Sequence, residues 1–279
     1  SVVVAEQGAI KLPRRAAFFG VANEDDKATQ LSSQHLVQPL FEKINTAQAN
    51  GKIVRWIEEG DTSRKLQMDW DCRAILSDQA SKPHLLELLG GDQTPAFLFT
   101  ASHGMEFAKD SPRQMPHQGA LLCQDWPGPK QHRGNIPQDW YFAGDDLTST
   151  TNLAGLVAFF FACYGAGTPQ LDQYAEQAFK DQRAVIAAHD FTADLPLQML
   201  KRGSLAVVGH VERAWGYSFM NLRGNAQLGT FFDAAKQLLA GDPVGLTMES
   251  FNLRYSDLAT SLSYDLGELR HKKDYMDAY

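Results

Sequence analysis

Four short apolar runs constrain the fold of this chain more than any other feature of its sequence. They lie at residues 16–19, 96–100, 156–163 and 205–208. A continuous apolar run of about 4–8 residues is typical of a strand that is covered on both faces, and such strands belong to parallel sheets. Segments with helical patterns alternate with these runs along the chain. The sequence therefore predicts an α/β fold with a mostly parallel central sheet.

The segment after the first run shows how the helices are encoded. Residues 23–26 (Asn-Glu-Asp-Asp) supply N-cap candidates, and Leu36, Leu40 and Ile44 form an apolar stripe that predicts a helix ending near Ala49. Similar patterns predict further helices over 83–89, 171–188, 194–202, 231–239 and 244–262, a hairpin over 52–70 that turns at Gly60 and Asp61, and a small hairpin strand within 119–124.

Composition and charge exclude several classes of protein. The 26 Lys and Arg residues are outnumbered by 33 Asp and Glu residues, so the net charge is −7 and nucleic acid is not expected as a direct partner. No apolar run approaches the roughly 20 residues of a membrane span, and the N-terminus lacks a secretory signal pattern. Three cysteines are too few, and odd in number, for a disulfide scaffold. We therefore expect a cytoplasmic protein with no membrane partner, folded as a single domain over 1–279.

Motifs for common cofactors and metal ions are absent from the sequence. The chain contains no G-x-S-x-G nucleophile elbow, no phosphate-binding G-x-x-x-x-G-K-[ST] loop and no G-x-G-x-x-G. It also contains no C-x-x-C pair and no H-E-x-x-H, which are common zinc-binding patterns. We therefore expect neither a cofactor nor a bound metal.

The residues that follow the predicted strands are the best candidates for chemistry, because ligands bind outside the carboxyl ends of parallel strands. Ser102-His103-Gly104 follows the second run, and Cys163-Tyr164-Gly165 lies at the end of the third. A thiolate is a strong nucleophile, an imidazole can take up its proton, and glycine lets a backbone N–H approach a substrate. A helix after Cys163 would also lower the pKa of the thiol. Taken singly, a cysteine here also fits a small buried apolar residue, and His210 is a rival base.

Two blocks at these strand ends resemble those of a known family. Ala101-Ser102-His103-Gly104 and Phe161-Ala162-Cys163-Tyr164-Gly165 are similar to the His-Gly and Ala-Cys blocks of caspase-like (clan CD) cysteine peptidases, in the family's order. That group includes caspases, gingipains, separase and the bacterial CHAT proteins, which the chain resembles most. Further similar segments are 119–122, 145–147, 203–209 and 231–244, so the resemblance spans about 14–262. It implies a caspase-like three-layer α/β/α sandwich. The Pro- and Gly-rich insert at 126–140 departs from the family and is a candidate lid or docking loop.

The resemblance implies a cysteine endopeptidase that acts on a protein or peptide substrate. Cys163 would be the nucleophile, His103 the general acid/base, and the backbone N–H groups of Gly104 and Cys163 the oxyanion hole. It also implies control by a regulatory domain or activator protein. A first residue other than Met fits a segment of a larger protein or complex. The resemblance to bacterial members of this group also suggests a role in antiviral defence or cell death. The alternative is a caspase-like scaffold or binding module whose dyad is idle.

Substrate recognition is encoded less specifically. Glu212 or Asp146 could hold a basic residue before the scissile bond, and Trp215 could form an apolar wall of the cleft. The same three positions also fit residues without a role in substrate binding, namely two solvated carboxylates and one aromatic residue of the core. Cys72 and Cys123 are predicted to be structural.

Overall fold

Strands and helices alternate along the chain in the computed structural model, which describes residues 12–60, 62–172, 183–221 and 223–277, with side chains to residue 272. The strands are β1 (Arg15–Gly20), β2 (Val54–Glu59), β3 (Thr62–Gln67), β4 (Asp71–Leu76), β5 (Phe97–Ala101), β6 (Leu121–Leu122), β7 (Tyr141–Phe142), β8 (Val157–Phe161), β9 (Gly167–Thr168), β10 (Phe191–Thr192) and β11 (Ala206–Gly209). The helices are α1 (Lys27–Ser32), α2 (Gln38–Ala49), α3 (Lys82–Leu88), α4 (Gln114–His117), α5 (Asp194–Lys201), α6 (Gly229–Ala240), α7 (Val244–Thr247) and α8 (Glu249–Asp277). A π-helical turn, Ser33–Val37, connects α1 to α2.

Five strands form the central sheet in the order β4-β1-β5-β8-β11, and all neighbouring strands are parallel. In this register Phe18 lies beside Phe99, which lies beside Phe159. The chain runs from β1 out to β4 and then crosses to β5 on the other side of β1. The strand order therefore reverses between β1 and β5. The prediction of an α/β fold with a mostly parallel sheet is confirmed.

Helices cover both faces of this sheet, since successive side chains of a strand point to opposite faces. On one face, Phe18 packs edge-on against Phe41 of α2, with ring centroids 5.8 Å apart. On the other face, Phe19 belongs to a buried cluster that includes Leu85 of α3 and Leu195 of α5. The result is a three-layer α/β/α sandwich.

The chain divides into two compact units. The first comprises residues 1–50 and 69–227, and the second comprises residues 51–68 and 228–279. The central sheet belongs to the first unit. Within the second unit, β2 and β3 form an antiparallel hairpin, and Phe231 of α6 packs edge-on against Phe251 of α8 at 5.3 Å. The expectation of one peptidase domain over 1–279 stays a prediction. Among the described residues, no helix combines the length and apolar character that a membrane crossing requires.

Strand β4 is an element that the apolar runs did not predict. It pairs with β1 from Asp71 beside Arg15 to Leu76 beside Gly20. Its residues alternate between exposed and partly buried over most of its length, because it lies at the edge of the sheet. A search for continuous apolar runs finds only strands that are covered on both faces.

The predicted helix over 171–188 is wrong where the structure describes it. Residues 173–182 lie outside the described residues, and residues 171–172 and 183–188 are not helical. Leu171 and Val185 instead form an antiparallel bridge, which pairs backbone groups that a helix would have used. The predicted helix over 244–262 is observed as α7 and α8, and α8 continues to Asp277.

Candidate active site

The carboxyl ends of β1, β5, β8 and β11 lie at one edge of the sheet, and each is followed by a polar residue. Asp26 follows β1, His103 follows β5, Cys163 follows β8 and Arg213 follows β11. Ligands of open parallel sheets bind at this edge, close to the point where the strand order reverses. That point lies between β1 and β5, which places Asp26 and His103 on either side of it.

Asp26 orients the imidazole of His103. Its Oδ2 lies 2.7 Å from Nε2 of His103 and accepts a second hydrogen bond from Thr29 Oγ1 at 2.8 Å. Burial by itself raises the pKa of Asp26, but the hydrogen bond and the charge of His103 help to bring that pKa below its ordinary value. An ionised carboxylate can only accept hydrogen bonds. The proton of a neutral His103 therefore lies on Nε2, and Nδ1 carries the lone pair.

The thiol of Cys163 lies two residues beyond β8 and is partly buried. Its Sγ accepts a hydrogen bond from Ala214 N at 3.3 Å. Burial raises the pKa of this thiol above its ordinary value, and the nearby carboxylate of Glu106 adds to the rise. The expectation that a helix would lower this pKa is wrong, because residues 164–172 contain turns and a short strand and no helix.

Gly104 allows two backbone segments to touch at the site. A Cβ at this position would lie 1.8 Å from the carbonyl oxygen of Cys163. Gly104 also lies opposite Leu121 in an antiparallel bridge. The hydrogen bonds of this bridge are made by the residues that flank the pair, so the N–H of Gly104 points away from Leu121. Within the described part of the chain, the N–H groups of Gly104 and Cys163 donate no hydrogen bond. Two unpaired donors beside a nucleophile are what an oxyanion hole requires.

Unusual backbone conformations flank the same residues. Among the described non-glycine residues, Asp25, Ser77 and Tyr164 have positive φ. Asp25 directly precedes Asp26 and Tyr164 directly follows Cys163, each with φ of 57°. Left-handed backbone at such residues is unfavourable and is concentrated at functional sites in proteins. Two of the three such residues therefore adjoin the candidate site.

His103 and Cys163 line one cleft of about 360 Å³. One wall comes from the α1 region and the other from the loop after β11, which includes Trp215. Phe161 and Phe219 also line the cleft, and their rings pack edge-on at 5.4 Å. A volume of this size accepts a small ligand or a single large side chain.

Arg213 joins three carboxylates beside this cleft. Its Nη1 lies 2.8 Å from Asp172 Oδ1 and 3.1 Å from Glu212 Oε1, and its Nη2 lies 3.7 Å from Glu106 Oε1. Its guanidinium carbon lies 5.7 Å from the ring centroid of Tyr164. Arg213 therefore ties the loop after β11 to the turn after β8.

The predicted substrate-binding residues lie in different places. Trp215 lines the cleft, and its side chain is exposed. Glu212 lies in the loop after β11, where its carboxylate contacts Arg213. Asp146 is not among the residues of the cleft, and its Oδ1 pairs with Nζ of Lys82 at 2.8 Å. The structure therefore brings Trp215, but not Asp146, to His103 and Cys163.

His210, the rival base, lies behind the cleft. Its ring packs edge-on against Phe161 at 5.0 Å, and burial lowers its pKa, which keeps it neutral. It does not line the cleft that holds Cys163. His103 is therefore the histidine that the geometry favours as the base.

The insert at 126–140 begins next to His103. The ring of Trp126 lies edge-on to the imidazole, with centroids 6.4 Å apart. The carbonyl oxygen of Trp126 accepts a hydrogen bond from Asn23 Nδ2 at 2.9 Å. The insert therefore contacts the loop between β1 and α1, and a role as a lid or docking loop stays a prediction.

Sequence reasoning missed two residues of this site. The local pattern around Asp26 indicates only a helix cap. Inspection of the residues after each strand, which points to His103 and Cys163, would have found Asp26 if applied to β1. Arg213 gave no comparable signal, since its partner Asp172 is 41 residues away in the chain. Contacts over such distances have no local pattern.

Comparison of the chain with protein-family models, with curated proteins and with solved structures finds no match. The family resemblance therefore depends on the sequence blocks around His103 and Cys163. Function has to be argued from the chemistry of the site.

Proposed function

We propose that this chain is a cysteine endopeptidase of the caspase-like, CHAT-related type. One observation carries the proposal: a cysteine flanked by unpaired N–H groups shares a cleft with a histidine that a mostly buried carboxylate orients. Cys163 acts as the nucleophile, His103 as the general acid/base and Asp26 as the residue that positions His103. These are the groups that acyl transfer through a thioester requires.

The reaction uses Nδ1 of His103, which has no hydrogen-bond partner among the described residues. Nδ1 takes the proton of the Cys163 thiol, and the sulfur attacks the scissile carbonyl carbon. The N–H groups of Gly104 and Cys163 stabilise the developing oxyanion. Collapse breaks the C–N bond, and the amine leaves with the proton from His103. Water, deprotonated by His103, then hydrolyses the thioester and regenerates the thiol.

The raised pKa of the resting thiol fits an enzyme with low basal activity that an activator increases. Because burial raises its pKa, Cys163 is protonated at neutral pH. A regulatory domain or activator protein that displaced the half-exposed Glu106 would lower this pKa and favour the thiolate. We place the enzyme in the cytoplasm, since Cys72, Cys123 and Cys163 are all free thiols, and in bacterial defence or cell death by resemblance alone.

Cleavage of a peptide library by the full chain tests the proposal. We expect cleavage by the wild type, none by Cys163→Ala, and a loss of at least about 10²-fold for His103→Ala. His210→Ala and Cys72→Ala are matched controls, because each changes the same residue type away from the cleft, and both should retain activity. Cleavage by Cys163→Ala at the wild-type rate would show that the assignment is wrong.

A second candidate, a scaffold whose dyad is idle, is favoured by the raised pKa of the Cys163 thiol. The two functions differ in their response to a peptide acyloxymethyl ketone, which labels an activated cysteine. The peptidase proposal expects labelling of Cys163 that His103→Ala slows, as read by intact mass. Labelling that is equally slow in both proteins would support the scaffold.

A further inference from the structure

We propose that the cleft beside Cys163 receives an uncharged, apolar side chain of the substrate, the one that precedes the scissile bond. This inference rests on the proposed peptidase function and names the class of its substrate. It departs from the basic side chain that Glu212 and Asp146 suggested in the sequence. Gly216 also lines the cleft, and a larger residue at this position would reduce the size of the side chain that fits.

The lining of the cleft is predominantly apolar. Phe161 and Phe219 are almost fully buried, and Leu31 and Ala28 contribute from the α1 region. Trp215 adds an exposed indole on the opposite side. A substrate side chain that covers these groups removes apolar surface from water on both partners, which favours binding.

The hydroxyl groups of the lining are already used within the protein. Thr29 Oγ1 donates to Asp26 Oδ2 at 2.8 Å, and Ser32 Oγ donates to Thr29 O at 3.0 Å. Ser102 Oγ donates to His103 O at 3.0 Å. Their protons are therefore engaged, and a polar substrate side chain would lose water without gaining these donors.

The cleft disfavours both positively and negatively charged side chains of a substrate. Among the described residues that line the cleft there is no carboxylate, so a Lys or Arg side chain would enter without a counter-ion. Arg213 is the cation of the lining, and Glu106, Asp172 and Glu212 already surround it. The charge of the guanidinium is therefore already compensated, and a substrate carboxylate would gain little from it.

Gly216 offers a way to change the size of the cleft. A Cβ built at this position meets no atom within 4 Å, and the backbone has no positive φ. A leucine side chain should therefore be tolerated there and should occupy cleft volume. Gly245 has the same two properties and lies in α7, in the second unit, so Gly245→Leu is a matched control.

The experiment compares fluorogenic peptides that differ only before the scissile bond, with Leu, Phe, Ala, Arg or Asp there. For wild-type protein we expect kcat/KM for Leu and Phe to exceed that for Arg and Asp by about tenfold or more. Gly216→Leu should reverse the order of Phe and Ala, whereas Gly245→Leu should preserve it. A higher kcat/KM for Arg or Asp, or an unchanged order in Gly216→Leu, would overturn the inference.

A binding measurement separates this inference from the proposed function. Reduced-amide peptides with the same five side chains are titrated calorimetrically into the Cys163→Ala variant, with and without Gly216→Leu. Tighter binding of the Leu and Phe peptides, abolished by Gly216→Leu, supports the apolar cleft. If this binding is observed but the wild-type protein cleaves no peptide, only the peptidase proposal fails. Equal or tighter binding of the Arg or Asp peptide refutes the apolar cleft.

Discussion

The pairing of Asp26 with His103 leads to a prediction that needs no substrate. Asp26→Asn keeps the size of the side chain and the N-cap of α1 but removes the carboxylate that holds the imidazole. A hydrogen bond to a charged group contributes about 1.5–3 kcal/mol, and the 39% exposure of the His103 side chain reduces this to about 1–2 kcal/mol. We expect the free energy of unfolding to fall by that amount at neutral pH.

The loss should shrink in strongly acidic solution. The pKa of Asp26 is lowered below its ordinary value in the folded protein, so the unfolded chain binds this proton more readily. The stabilisation is therefore present above about pH 4 and is lost as the pH falls through the lowered pKa of the folded state. The unfolding free energies of wild type and Asp26→Asn should converge in that range.

Urea unfolding followed by circular dichroism at several pH values measures both effects. Asp25→Asn is a matched control, since Asp25 is the adjacent carboxylate and pairs with the exposed Lys130, and its loss should stay within about 0.5 kcal/mol. A double-mutant cycle with His103→Ala should give a coupling of about 1 kcal/mol. Equal losses for Asp25→Asn and Asp26→Asn, or a loss for Asp26→Asn that does not shrink in acid, would refute the reasoning.

Three further predictions concern the same site. Gly104→Ala should lower the free energy of unfolding by about 1–3 kcal/mol and abolish cleavage, because the alanine Cβ would overlap the carbonyl oxygen of Cys163. A variant as stable in urea as the wild type would contradict this prediction. Iodoacetamide should alkylate Cys163, which lines the cleft, faster than Cys72, since burial raises the pKa of the Cys72 thiol to about 11. Mass spectrometry can follow both rates, which should keep rising above about pH 9 because burial raises both pKa values; equal rates would show that the cleft does not make Cys163 the more reactive thiol. Arg213→Met should cost about 2–4 kcal/mol of unfolding free energy in urea because it removes the ion pair between Arg213 and the mostly buried Asp172, and Arg213→Lys should cost less; equal losses would contradict a specific pairing.

The sequence by itself determined the central part of the fold and the edge at which the candidate site lies. Burial on both faces of a strand is encoded in consecutive residues, so β1, β5, β8 and β11 could be located from local pattern alone. His103 and Cys163 followed from their positions after two of these strands. The cap at Asp26 was also predictable, because the Asn-Glu-Asp-Asp segment precedes the first helical stripe.

Only the tertiary structure decided how these residues act on one another. The contact between His103 and Asp26 joins residues 77 positions apart, and the apolar cleft is assembled from segments distant in the chain. The raised pKa of Cys163 also depends on burial and on carboxylates that no local pattern reveals. Hydrophobic periodicity reports which residues are covered, whereas hydrogen bonding and electrostatics depend on distances that exist only once the chain has folded.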